Sequence, residues 1–262
     1  MSEIYQNRKL IWKLAKNDFK KRYAGSALGA VWALIQPVVT VGMYWLVFDV
    51  IAGNPLRAGN SDIPYVLFLT AGLVPWFYFS EALPHGTAAL LEYSYLVKKV
   101  VFKIDILPVV KIIAATFIHA FFALLALLVA ALYGVYPGLH TIQLVYYGAA
   151  LCMLSLGLSY LTSAIVVFFR DLQQMIAIAL QIGMWATPIL WDINMLSAKV
   201  RIVFCLNPLT YIVEGYRDAV YGGGWFFARP LWTGYFWGVT LSLFWLGRAV
   251  FKKLKVHFAD VL

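Results

Sequence analysis

Gln174, Ile178, Gln181 and Trp185 recur at intervals of four, three and four, and Trp32, Gln36 and Met43 share a face in the same helical sense. Amides beside indole rings suit carbohydrate, because an amide exchanges hydrogen bonds with hydroxyls while an aromatic face stacks on the apolar face of a sugar. The same amides serve equally well for hydrogen bonding between packed membrane helices, so both accounts stand at this point. Groups for covalent chemistry are missing: the chain has no GxxxxGK[ST] phosphate loop, no HExxH, no CxxC and no Ser/His/Asp set in one aqueous loop. No catalytic residue and no metal ligand is expected, and the chain is not expected to be an enzyme. His119 is the one ionisable group deep within an apolar stretch. A proton-coupled carrier would bury more carboxylates, so a hydrogen-bonded structural role is expected for it, with Asp49 and Glu81 near span ends in reach of water. Cys152, inside a span, and Cys205, in a loop, give no disulfide framework.

The elements that carry these residues follow from composition. Hydrophobic residues make up 63% of the 262 and charged residues 13%, with a mean hydropathy of +0.79. Soluble domains run at about half apolar and a quarter charged, so this is an all-α membrane protein. No Lys, Arg, Asp or Glu lies between Lys111 and Arg170, and a helix needs only about 20 residues to cross a bilayer. That gap holds two spans, parted by the Gly and Pro punctuation of "YGVYPGLHT" at 133–141. Arg170 and Asp171 then belong to a hydrated surface turn, since a charged pair at the bilayer centre is costly. Six spans are expected in a single transmembrane domain: 28–51, kinked at Pro37, then 63–84, 106–132, 141–169, 172–191 and 231–250. Gly25 and Gly29 form a GxxxG at the start of the first.

Counted by segment, seven Lys or Arg precede the first span, Lys98, Lys99 and Lys103 follow the second, Arg170 follows the fourth, and four close the chain. The opposite side carries Arg57, Lys199, Arg201, Arg217 and Arg229. The positive-inside rule therefore places both termini in the cytoplasm, as six spans require. The net charge of +9 reads as a topology signal and not as a nucleic-acid footprint. Residues 1–26 form an interfacial amphipathic helix, with Lys9, Lys13, Lys16 and Lys20 on one face and Ile4, Ile11, Trp12, Ala15 and Phe19 opposite. They are not expected to be a cleavable signal. Segment 85–105 reads as a cytoplasmic helix able to dock on a partner. In the outer loop 192–229, Asn207 is a helix N-cap, Pro208 the first helical residue, and Leu209, Ile212, Val213, Tyr216 and Val220 the stripe of a short helix on the outer membrane face.

Six stretches resemble one family: "RYAGSALGAVWALIQP" at 22–37, "LVPWFYFSEAL" at 73–83, "YLVKKVVFKIDILP" at 95–108, "FFRDLQQ" at 168–174, "TPILW" at 187–191 and "NPLTYIVEGYRD" at 207–218. In that order and spacing they are similar to permease subunits of ABC-2 type exporters (type V architecture) of cell-surface polysaccharides. The teichoic-acid branch comes first and O-antigen and capsule exporters next. The resemblance implies a homodimer in the bacterial cytoplasmic membrane, bound to two copies of a separate ATPase that holds ATP and Mg; no cofactor is expected in this chain. It seats Leu91, Tyr95, Leu96, Lys98 and Lys99 on that ATPase. It implies a lipid-linked polymer entering beside the N-terminal helix, its diphosphate met by Lys20, Arg22, Tyr23 and Arg170. Trp32, Gln36, Met43, Gln174, Gln181 and Trp185 would line the path. A multidrug exporter of the same class is the alternative; a secondary transporter would need an internal repeat, and none is visible.

Overall fold

The computed structural model describes residues 7–23, 31–53, 63–98 and 103–262, and every regular element among them is helical. The α-helices in chain order are α1 (Arg8–Tyr23), α2 (Trp32–Trp45), α3 (Tyr65–Glu92), α4 (Ser94–Val97), α5 (Leu107–Leu132), α6 (Gln143–Val166), α7 (Leu172–Ala186), α8 (Ala198–Cys205), α9 (Pro208–Tyr221), α10 (Pro230–Leu254) and α11 (Phe258–Val261). Tyr65–Glu92, Ile104–Leu132 and Leu139–Val166 are each long and apolar enough to span a membrane, and Leu34–Phe48 and Leu172–Ala186 are shorter apolar helices. With α10, whose 25 residues rise about 37 Å, they make six helices in the chain order expected for six spans.

α3 is the hub. Its most apolar window is 78% buried, against 39% for the α5 span, because it is apolar on every side and is surrounded by α5, α6, α9, α2 and α7. The expected 63–84 span is the front of this longer helix, which continues past Pro84 to Glu92. α10 lies along α6 at a crossing made by glycines: a Cβ on Gly157 would stand 2.9 Å from the Phe244 backbone nitrogen, and one on Gly247 would meet the Gly157 carbonyl at 2.5 Å. Beyond Trp45, α2 widens over Leu46–Ile51 to i→i+5 bonding, closing with Ala52 N–H to Val47 O at 3.0 Å.

α7 is held differently. Ile176 is its one buried residue, while Met175, Ile178, Ile182 and Trp185 are exposed. Arg170 and Asp171 lie exposed in the turn before it.

Three expectations change. α1 is docked on α5 and is not held by lipid alone: its inner face is Ile11, Ala15 and Asp18, whereas Trp12 is 58% exposed and meets the Phe117 ring edge-on. α9 has the expected cap, with Asn207 Oδ1 accepting the Leu209 N–H at 3.0 Å, and ends at left-handed Gly222. It does not lie on the surface, however; Tyr211, Gly215, Arg217 and Ala219 are buried as well as the apolar stripe, because it packs among α3, α5 and α6. Arg217 is not an isolated charge, since it donates to Glu214 Oε1 at 2.6 Å and to the Ile189 carbonyl at 2.8 Å and stacks on Phe68. Cys205 closes α8 and is not in a loop. The GxxxG of Gly25 and Gly29 lies outside the described residues, as does Ile4.

Candidate functional site

Five charged side chains from three helices meet where α1 crosses the start of α5. Lys111, only 1% exposed, donates to Asp18 Oδ1 and to Glu92 Oε2, each at 2.5 Å. Tyr93 gives its hydroxyl to the same Asp18 oxygen at 2.8 Å, and Lys111 sits 5.0 Å from the centre of its ring. Arg22 binds the other Asp18 oxygen at 2.9 Å and reaches across to Glu81 Oε1 at 2.7 Å. Burial pushes the Asp18 carboxyl up, but Lys111, Arg22 and Tyr93 together hold it below its ordinary range. Tyr93 immediately precedes the short helix α4, so a continuous set of ionic contacts runs from the α4 end of the molecule to Glu81.

Glu81, expected near a span end in reach of water, is partly exposed on a cleft between α2, α3 and α5 and is also paired with Arg22. The cleft measures about 470 Å³, and its wall includes Trp32, Gln36, Thr40, Ser80, Glu81 and His119. His119 exchanges a hydrogen bond with the Tyr216 hydroxyl at 2.6 Å through Nε2, and its ring lies 4.8 Å from that of Tyr78. Its Nδ1 is buried without a partner in hydrogen-bonding geometry, although the Val74 backbone acts on the ring. Among the described residues no three His, Cys, Asp or Glu side chains group to hold a metal.

The residues expected to act from sequence are distributed as follows. Tyr95 and Lys98 are exposed at α4, Leu91 and Leu96 are half-buried beside them, and Lys99 lies outside the described residues. Lys20 and Arg170 are exposed cations, whereas the Arg22 guanidinium is already engaged by two carboxylates. Tyr23 ends α1; its side chain lies outside the described set, as does that of Asp49. Trp32, Gln36 and Met43 are exposed on α2, and Gln174, Gln181 and Trp185 are exposed on α7. The cleft gathers Trp32 and Gln36 but not Met43 or the α7 residues.

Sequence reasoning missed Lys111, Asp18, Glu92 and Tyr93 as a group. Two signals were there: Lys111 is the cation left over when Lys and Arg are assigned to loops, and Asp18 is the only acid between Arg8 and Arg22.

A polytopic helical membrane protein with a polar cleft among its spans, a buried ionic cluster at one end and two helices barely packed on their own chain is built like a subunit of a transporter. Residues 9–221 match the family model described as ABC-2 type transporter, and the chain belongs to that family. It is 28% identical over 260 residues to the O-antigen export system permease protein RfbA of Myxococcus xanthus, covering 98% of this chain and 97% of that protein. To a permease of the same name from Klebsiella pneumoniae it is 27% identical, over 97% and 95% of the two chains. To the polysialic acid transport protein KpsM of Escherichia coli it is 24% identical, over 90% and 89%.

Proposed function

We propose that this chain is the membrane-spanning permease of an ATP-driven exporter of a cell-surface polysaccharide. The observation that carries the reading is the end-to-end similarity to proteins named as O-antigen export permeases. Those names rank an O-antigen-type polymer ahead of wall teichoic acid, the first choice by resemblance. The working unit is a homodimer with two copies of a separate ATPase that binds ATP and Mg, and both termini face the cytoplasm. Dimerisation is supported by the exposed amides Gln174 and Gln181 on α7 and Gln36 on α2, which lipid would leave unsatisfied, whereas the exposed Ile178, Ile182, Val38 and Val39 beside them suit acyl chains as well as a second copy. The exposed Gln36, Gln174 and Gln181 on the same two helices suit a shared hydrated path for the glycan.

Tyr95 and Lys98 present the surface that meets the ATPase, with Leu91 and Leu96 half-buried beside them; Lys99, which lies outside the described residues, is assigned to the same contact by the resemblance. Lys20 and Arg170, exposed and without an ion pair among the described residues, offer charge to the anionic headgroup of a lipid-linked polymer; Arg22, already paired with Asp18 and Glu81, and Tyr23 are assigned to that entrance by the resemblance alone. The ionic contacts from Tyr93 to Glu81 make α1, α3 and α5 move together when α4 is pushed.

The test is purification of the tagged chain from its native membrane in mild detergent, with mass spectrometry of bound proteins and an ATPase assay. A stoichiometric nucleotide-binding partner is expected, lost when residues 95–98 become a Gly-Ser linker in a chain that still elutes as a folded protein. Purification intact, alone and without ATPase activity would overturn the reading. Arg170→Glu is expected to abolish export without lowering the amount of folded protein.

A further inference from the structure

We propose that a pocket between α8, α9 and the start of α10 binds an anionic phospholipid of the surrounding bilayer by its phosphate. The pocket lies near the beginning of α3, away from α4: Glu214 in its wall is bonded to Arg217, which reaches the Phe68 and Ile189 carbonyls. It measures about 800 Å³. α8 and α10 form its two sides and are tied by the Tyr235 hydroxyl, which donates to the Leu206 carbonyl at 2.7 Å. None of the residues assigned above to the ATPase contact, the entrance or the path belongs to its wall.

The charge of the wall is unbalanced. Among its described residues Arg201 and Arg229 are the cations and Glu214 is the carboxylate, already engaged by Arg217 at 2.6 Å. Arg201 is exposed and donates to a neutral group, Asn194 Oδ1, at 3.2 Å, without an ion pair among the described residues. Arg229 stands 3.4 Å from Asp218, longer than the roughly 2.7–2.9 Å of a formed charge-assisted hydrogen bond. Two guanidiniums on one cavity suit the unesterified oxygens of a phosphodiester. The rest of the wall suits a hydrocarbon chain. Ile202, Leu206 and Leu231 are 64%, 56% and 88% exposed, and Trp232 and Tyr235 follow at the start of α10, as aromatic rings do at a membrane–water interface. A soluble phosphate would leave the aliphatic surface in water, and an uncharged lipid would leave the arginines unmatched; an anionic lipid answers both. The volume falls within the roughly 300–1,000 Å³ of small-molecule pockets, so the headgroup and the first carbons sit inside while the chains run on into the bilayer.

The probe is phosphatidylglycerol carrying a diazirine on one chain beside the glycerol. It is compared with phosphatidylcholine and diacylglycerol bearing the same chain, on the full-length protein in nanodiscs. After illumination, peptide mass spectrometry should place phosphatidylglycerol on residues 198–206 and 229–235, at least tenfold above diacylglycerol and above phosphatidylcholine, whose choline the arginines repel. Arg201→Gln and Arg229→Gln alter exposed side chains, so folding is preserved, as size-exclusion elution will verify. Each should lower that labelling about tenfold, the effect of one charge-assisted hydrogen bond, and Arg201→Lys should retain part of it. Labelling of α1, whose exposed lysines also draw anionic lipid, is the internal control and should not change. Equal labelling by diacylglycerol or phosphatidylcholine would show a crevice blind to charge. Suppression by glycerol phosphate as strong as by unlabelled phosphatidylglycerol would show a site for a soluble anion. Absence of label from both segments would show the pocket covered by a second copy or unfilled, and glutamine variants that label normally, or that lose label equally on α1, would remove the arginines from the site. Each of these results overturns the proposal.

Discussion

Lys111→Met removes the centre of the ionic cluster while keeping the volume of the side chain. Breaking a buried ion pair by deleting one partner costs about 3–5 kcal/mol. The low end applies here: Asp18 keeps Arg22 at 2.9 Å and Tyr93 at 2.8 Å, and the Glu92 side chain, 47% exposed, rehydrates readily. A loss of about 3 kcal/mol, concentrated where α1 meets α5, raises the undocked population of α1 roughly a hundredfold, since each 1.4 kcal/mol is a factor of ten. Hydrogen exchange followed by mass spectrometry, on the full chain in nanodiscs, reads this directly as faster exchange over Arg8–Tyr23 with α6 and α10 unchanged. The double variant Asp18→Asn with Lys111→Met should recover most of the protection, because it removes the buried Asp18 carboxylate together with the ammonium that balanced it, leaves Arg22 paired with Glu81, and lets the new amide accept from Arg22 and donate to the Tyr93 oxygen. Wild-type exchange over α1 in Lys111→Met would refute the idea that this cluster holds the helix.

Gly157→Ala should lower thermal stability in detergent by about 1–3 kcal/mol, because its new Cβ would lie 2.9 Å from the Phe244 nitrogen and the α6–α10 crossing must open. Arg217→Lys should cost about 2 kcal/mol in the same assay, since a single ammonium cannot serve Glu214, the Ile189 carbonyl and the Phe68 face together. The pH dependence of α1 docking has a defined sign. Asp18 is held below its ordinary 3.8, so its contribution is complete above that value and disappears as pH falls through the lower folded one. Exchange over α1, corrected for intrinsic rates, should therefore stay flat down to about pH 5 and rise only in stronger acid.

Local signals were legible in the sequence. Asn207 and Pro208 announced the start of α9 because a cap depends on adjacent residues, and Arg170-Asp171 announced a turn because hydration of charge is decided locally. The cleft was half-legible: Trp32 and Gln36 lie one helical turn apart on α2, but Glu81 and His119 reach them from other helices. The ionic cluster was illegible because Asp18 and Lys111 are 93 residues apart and no periodicity relates them. The apolar arc of α1 misled for the same reason: Asp18 belongs to the buried face only because Lys111 waits there. For α9, amphipathicity suggested a surface helix, and the stacking of Arg217 on Phe68 is what lets its polar face be buried too.

Surface polysaccharide on cells deleted for this chain, and restored with wild type or with the 95–98 linker variant, tests the export function most directly. The expected result is loss of surface polymer with accumulation of the completed lipid-linked polymer inside, reversed by the wild type and not by the linker variant. Normal surface polymer in the deletion would contradict it.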